Sequence, residues 1–344
     1  MPANSTTIEQ ISKDASWFPN RYDVNAGNLE MIKTDCALLA DTTFLATPNF
    51  PPKDIVRKIV PASSLSSISN TSTPSFIFHS AFCCSTLIAR AINFPSKVRS
   101  LKEPQITMDI ADHIRRTGDL PKHIGLVSKL LSRTVNLNEK TVIKPTNMVN
   151  NILLFDSDLI TQSPILFLYG SLRGFLVSTL KKGEQGRFMI RRMYSIFMKD
   201  PTRFKEIPLQ QVVTLTDLQI TAMVWLLQTE IFEERLLNCS NGLMASLHCD
   251  DFLAQSMGYL ASINQHLKLD LGDKDLFQLY RSDILNLDSK QQDKSYNSKK
   301  RKTESKQIED EYGPTLDHIC NWADGLSLHG KIQHKLARPI KPLD

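Results

Sequence analysis

The stretch FIFHSAFCCSTLIARAI, residues 76–92, decides how this chain reads. Phe76-Ile77-Phe78 is a short apolar run of the kind that forms a buried strand. Ser85 to Ile92 carries helix formers at helical spacing. Strand, short polar loop and helix in succession are the layout of an α/β unit. The first N–H groups of a helix have no internal acceptors, and its dipole favours negative charge there. The segment His79–Thr86, with hydroxyls at Ser80, Ser85 and Thr86, is therefore a candidate anion-binding loop. It contains neither the Walker phosphate-loop pattern nor the Gly-x-Gly-x-x-Gly dinucleotide fingerprint.

Working outward, Thr141-Val142-Ile143 reads as a second strand and runs into Lys144-Pro145-Thr146-Asn147. Ile165–Tyr169 is a continuous apolar run suited to a strand buried on both faces, and GSLRGFLVSTLKK (170–182) turns helical after it. Helical spacing recurs in ITMDIADHIRR (106–116) and IGLVSKLLSRTV (124–135). It is longest in LTDLQITAMVWLLQTEIFEERLL (215–237), opened by Thr216 and Asp217. LMASLHCDDFL (243–253) reads as one more strand with a turn, AQSMGYLASINQHLKL (254–269) as a helix, and TLDHICNWADGL (315–326) as a short amphipathic helix. Alternating strands and helices predict an α/β fold with a central, mainly parallel sheet flanked by helices.

Residues 1–70 read as an irregular amino-terminal segment packed on the core, broken by Pro48, Pro51, Pro52 and Pro61 and ending in the Ser/Thr/Pro-rich PASSLSSISNTSTPS (61–75). Residues 71–344 form the α/β domain. Within it, 288–311 is a polar segment containing SKKRK (298–302), either a solvated excursion or a basic lid over an anionic ligand.

Composition narrows the function classes. The 344 residues carry 41 Lys plus Arg against 36 Asp plus Glu, a net charge of +5. That balance excludes a strongly basic nucleic-acid coat protein and an acidic disordered chain. No run of roughly 18 apolar residues is present, and the opening MPANSTTIEQISKDASW has no apolar core. The expectation is a cytoplasmic protein with no membrane or nucleic-acid partner. Oligomeric state has no signature. The six cysteines, at 36, 83, 84, 239, 249 and 320, show no Cys-x-x-Cys spacing and read as small buried residues; no metal site is expected.

Phe78 to Ala91 resembles the phosphate-binding loop of sulfotransferases, with Cys83-Cys84-Ser85-Thr86-Leu87 overlaying that family's Ser-Gly-Thr-Thr-Leu. VIKPTNMVNNI (142–152) is similar to the family's strand followed by Lys-x-Pro. PILFLYGSLRGFLVS (164–178) is similar to its strand and Arg/Ser helix start, and SLHCDDFLAQSMGYLASINQHLKL (246–269) to its late strand, acidic turn and helix. In outline the chain resembles bacterial sulfotransferase-like proteins of unassigned substrate.

The resemblance implies a P-loop nucleotide-binding architecture. It also implies transfer of a sulfuryl group from 3'-phosphoadenosine 5'-phosphosulfate to a hydroxyl or amine of a small metabolite. Under it, Ser80, Cys83, Cys84, Ser85 and Thr86 form the loop that holds the 5'-phosphate. Lys144 offsets charge on the leaving oxygen, and Ser178 and Arg173 bind the 3'-phosphate. Glu103 and His79 are the candidate general bases.

Each residue also has a plainer reading. Ser85 and Thr86 serve as helix caps, Glu103 pairs with Lys102 or Arg99, and His79 is a packing residue. Cys83 and Cys84 pack in the loop or, at a helix start, are thiolates. His248, Cys249, Asp250 and Asp251 read as a strand-end turn whose contiguous side chains diverge. Phe82 stands at the loop's usual basic position, Cys84 at its glycine and Gly170 at the 3'-phosphate arginine. Positive charge for the site must then come from Lys144, Lys102, Arg173 or SKKRK. Besides the transferase, two readings follow: a catalytically degenerate nucleotide- or anion-binding protein acting through a partner, and a phosphoryl-transfer enzyme, for which no Walker lysine exists.

Overall fold

Short apolar runs and the threefold to fourfold spacing of helices resolve in the computed structural model into two sheets and their helical cover. The structure describes residues 7–65, 68, 71–201, 209–282, 298–326 and 335–343. Its strands there are β1 (Trp17–Asp23), β2 (Asn28–Lys33), β3 (Arg57–Pro61), β4 (Ser75–His79), β5 (Val98–Lys102), β6 (Lys140–Lys144), β7 (Ile165–Tyr169) and β8 (Met244–His248). The last five make one sheet in the order β5-β6-β4-β7-β8, with every neighbouring pair parallel. The expected α/β class and parallel central sheet are both present.

Burial explains the apolar runs. All five residues of β4, β5 and β7 are buried, as a parallel sheet covered on both faces requires. Successive side chains point to opposite faces. Phe76, Phe78, Ile143, Phe167 and Tyr169 thus enter one core, and Ile77, Val142, Leu166, Leu168 and Leu247 enter the other. The first core stacks aromatic rings, with Phe167 4.8 Å from Phe232 on the helix Asp217–Asn238. Thr216 caps that helix through a reciprocal box with Gln219. A third core joins the helices Leu172–Leu180, Gly183–Phe197, Asp217–Asn238 and Ser298–Asp324. The outer edge of β8 is covered by the chain near residue 339: Ser246 N–H donates to Arg338 O and Ile340 N–H to Ser246 O, each at 3.0 Å.

Three local features differ from the sequence reading. The amino-terminal segment is not irregular, because β1, β2 and β3 pair antiparallel in that order. The sheet docks on the helix Gln105–Thr117, where Asp109 takes both Arg21 and the Tyr22 N–H. The prolines that break the pattern lie mostly between strands, with Pro61 closing an edge strand.

Strand β5 is absent from the sequence reading because Arg99 and Lys102 interrupt its apolar run, yet both are buried. Arg99 donates to the carbonyls of Leu131 and Arg133, and Lys102 to Ala40 O.

The charged run is also not an excursion where the structure describes it. Residues 298–311 begin the 27-residue helix Ser298–Asp324, of which TLDHICNWADGL is the end. Ile308, Tyr312, Leu316, Ile319 and Ala323 form one stripe into the third core, too sparse among charges to stand out in sequence. Residues 288–297, and the SKKRK side chains read as a lid, lie outside the described residues.

Candidate functional site

The carboxyl ends of the central strands converge on the loop after β4. Chain order passes from β4 out to β5, returns to β6 beside β4, then crosses to β7 and β8 on the other side. That reversal beside β4 is the switch point at which open α/β sheets bind ligands. A cavity of about 550 Å³ lies there, within the range usual for small-molecule sites. A larger groove of about 790 Å³ runs between the β1–β2 hairpin and the helix Gln105–Thr117. Its charges largely satisfy one another, Arg21 with Asp109 and Arg115 with Asp112, so the smaller cavity is the better candidate.

The loop has an unusual backbone. Ala81, Phe82 and Cys84 all have positive φ, at 70°, 53° and 62°, a conformation costly for residues with a Cβ and concentrated at functional loops. His79 helps to hold it: its Nδ1 accepts the Ala81 N–H at 3.1 Å, and its carbonyl accepts from Asn150 at 3.2 Å. The lone pair needed for a general base is committed to the loop, so His79 acts as a loop-organising residue. Ser85 and Thr86 open the helix Ser85–Ala91 beside the cavity, buried but lining it.

Lys144, at the end of β6, is fully buried, with its ammonium 2.5 Å from Glu103 Oε1 and 5.5 Å from the centroid of Phe44. Glu103, the residue after β5, has φ 58°, and its N–H donates to Lys144 O at 2.7 Å. The carboxylate therefore pairs with neither Lys102 nor Arg99. Sequence distance hides this partner, 41 residues away, which parallel pairing of β5 with β6 places next door.

Lys102 points out of the site, and its pKa is pushed down to about 8 by burial, reinforced by the charges of Arg90 and Lys144 and opposed by Asp41. A lysine whose folded pKa lies below its unfolded value binds fewer protons when folded, so its burden on stability is greatest below about pH 8. That burden fades as pH rises toward the unfolded value. Between pH 8 and 10.5 wild type is expected to gain about 3 kcal/mol that Lys102→Met does not. Urea midpoints of both proteins across that interval check this; parallel curves would remove the claim.

Cys83 behaves differently from a thiolate at a helix start. Cys83 is buried and its thiol is pushed up to about 12, by burial first and by Cys84 next, against the opposing pull of Lys144. It is a neutral packing group in the cavity wall, and Cys84 caps the helix backbone in a left-handed conformation with no side-chain cap bond.

Of the residues singled out from sequence, Lys144, Glu103, His79, Cys83, Cys84, Ser85, Thr86 and Ser178 all line this cavity. Ser80 and Arg173 do not. Ser80 is fully buried and extends the pairing of β4 with β7 through its N–H to Leu168 O. Arg173 is held by Glu309 and Asp317 of the long carboxy-terminal helix, both at 2.5 Å. Gly170, at the position of the 3'-phosphate arginine, offers no side chain, and a Cβ there would be in tight contact with Cys249 Sγ at 3.2 Å.

The cavity is also lined by Phe44, Thr146, Asn147, Met148, Lys181, Lys182, Met189 and Met193, to which the sequence assigns no role in the site. The adjacent lysines ending GSLRGFLVSTLKK were the one available signal, a charge pair three residues past Ser178.

His248, Cys249 and Asp250 do converge, with potential ligand atoms all within 4.8 Å, contrary to the expectation that they diverge. The His248 Nδ1 nonetheless accepts the Asp250 N–H and caps a six-residue helix, whose positive end disfavours a cation. Among the described residues no helix is long and apolar enough to cross a membrane. No family model, no curated protein and no solved structure matches this chain.

Proposed function

We propose that this chain is a sulfotransferase-like transferase, moving a sulfuryl group from 3'-phosphoadenosine 5'-phosphosulfate to a hydroxyl or amine of a small metabolite. The observation that carries the reading is the Lys144–Glu103 pair, held at 2.5 Å beside the strained loop at the sheet's switch point. A buried ammonium there stabilises negative charge appearing on a leaving oxygen, where low local polarity makes the effect large. The neighbouring carboxylate, one-fifth exposed, accepts the proton of the attacking hydroxyl or amine as the new bond to sulfur forms and the donor's bridging S–O bond breaks. Ser85 and Thr86 hydroxyls, with Lys182, suit the anionic end of such a donor.

A second reading, a catalytically degenerate nucleotide- or anion-binding protein acting through a partner, is favoured by one specific observation. Arg173, the residue nearest in sequence to a 3'-phosphate clamp, is committed to two carboxylates away from the cavity.

Thermal unfolding with two nucleotides separates these readings. At about 100 times its Kd, adenosine 3',5'-bisphosphate is expected to raise the melting temperature by ~4 °C, and adenosine 5'-phosphate by clearly less. Equal shifts from both would favour the degenerate anion-binding reading. No shift from either would sink the transferase reading.

A further inference from the structure

The positive charge of this chain is concentrated in one place. Residues 181–199, KKGEQGRFMIRRMYSIFMK, hold six Lys or Arg against a single acidic residue, Glu184, an excess of five that equals the net charge of all 344 residues. Most of this segment is the helix Gly183–Phe197, about 22 Å long. Ile190, Met193, Tyr194 and Phe197 bury its inner side in the third core. Its outer side carries Arg187, Phe188, Arg191 and Arg192, all exposed. Helical spacing sets Phe188 in the middle of that face, with Arg187 and Arg191 along one flank and Arg192 along the other. Arg187 stands 3.6 Å from Glu184, and Arg191 2.7 Å from Asp217. Both arginine side chains are more than half exposed, where such pairs are weak and open to competition. Lys182 and Lys199 have interactions of their own and add charge at the two ends.

We infer that this face docks the protein on the surface of an anionic phospholipid bilayer. Charge complementarity calls for a polyanion, and Phe188 selects which kind. Its side chain is 72% exposed among the arginines. A partner offering charge alone would leave that ring in water. The headgroup region of a bilayer takes an aromatic ring among the acyl chain ends while flanking arginines stay level with the phosphates. Val213, four residues before Asp217, the partner of Arg191, is exposed to the same degree and puts a second apolar group near this face. Contact of this kind is peripheral, so the lack of a helix able to cross a membrane has no bearing on it. Met189 and Met193 of the same helix line the cavity, so docking brings the cavity beside the lipid headgroups. The inference stands apart from the transferase reading, which the nucleotide titration tests separately.

Co-sedimentation with vesicles tests the assignment, using phosphatidylcholine alone and phosphatidylcholine with about 30% phosphatidylserine, at about 0.1 M salt. Wild type is expected to bind the anionic vesicles at least about 30-fold more tightly than the neutral ones, and to be released at about 0.5 M salt. Arg187→Gln/Arg192→Gln is expected to weaken anionic binding about 30-fold, each charge being worth about 5-fold. Arg187→Lys/Arg192→Lys keeps the charge and is expected to stay within about 3-fold of wild type. Phe188→Ala is expected to cost about 5-fold through lost apolar contact. Lys58→Gln/Lys274→Gln removes the same charge from exposed positions elsewhere and is expected to change binding by less than about 2-fold. All these side chains are exposed, so urea midpoints of the variants are expected to match wild type. Equal binding of wild type to both vesicles would overturn the inference. So would an equal loss in Lys58→Gln/Lys274→Gln, which would mean that net charge acts rather than this face. Binding to poly-L-glutamate without binding to the anionic vesicles would overturn it in favour of an acidic polypeptide partner. None of these results alters the reading of the cavity.

Discussion

Replacing Glu103 with Leu is expected to destabilise the protein by about 3–5 kcal/mol, while Lys144→Met costs only about 1–2 kcal/mol. The asymmetry follows from burial. Lys144 is fully buried, so removing the carboxylate 2.5 Å away strips a charge in the protein interior of its closest counter-charge. Glu103 keeps one-fifth of its side chain in contact with solvent, so losing Lys144 exposes its charge to water rather than stranding it. The double variant Glu103→Leu/Lys144→Met removes both charges and is expected to be more stable than Glu103→Leu alone. The coupling between the two positions should then be above about 1 kcal/mol. Urea unfolding of the four proteins measures it. Equal single costs that simply add would mean that the pair is not coupled, and the electrostatic account of the site would lose its basis. A hydrophobic pair of similar volume would stabilise the sheet edge at least as well.

The second large effect is expected at Arg133, a residue far from the cavity. Its guanidinium is buried and donates to three carbonyls of the amino-terminal segment, those of Ile11, Ser12 and Trp17. Burial pushes its pKa down to about 10, with Arg99 nearby acting the same way and Asp14 opposing, so it remains charged at neutral pH. Arg133→Met leaves those carbonyls without their shared donor and is expected to cost about 3 kcal/mol. Amide hydrogen exchange should rise first between Ile11 and Trp17, ahead of global unfolding. Lysine at 133 has one point charge in place of a fork and is expected to recover only part of the loss. Unchanged stability and unchanged exchange in Arg133→Met would show that the amino-terminal sheet is held by its apolar contacts alone.

Arg133, Arg99 and Lys102 also explain where sequence reading stops. Each is a charge in a segment that folds as core, and each is buried because backbone carbonyls from distant segments accept its protons. A charge in a linear sequence argues for solvent, and only the fold brings the carbonyls that reverse the argument. The same limit hid β5 and the amino-terminal sheet. It hid the apolar stripe of the helix Ser298–Asp324 as well, whose five core positions are spread over four turns of charged residues.

What the sequence by itself determined is the α/β class, the positions of β4, β6, β7 and β8, the Thr216 cap, and the loop after β4 as the place to look. These depend on short apolar runs, helical spacing and capping, which neighbouring residues encode. Only the tertiary structure decided which charges meet. It joined Glu103 to Lys144, drew Arg173 away to Glu309 and Asp317, turned Ser80 out of the cavity and set Lys182 over Phe82. Electrostatic partners depend on through-space distance, and a parallel sheet with crossover helices makes neighbours of residues 40 or more positions apart.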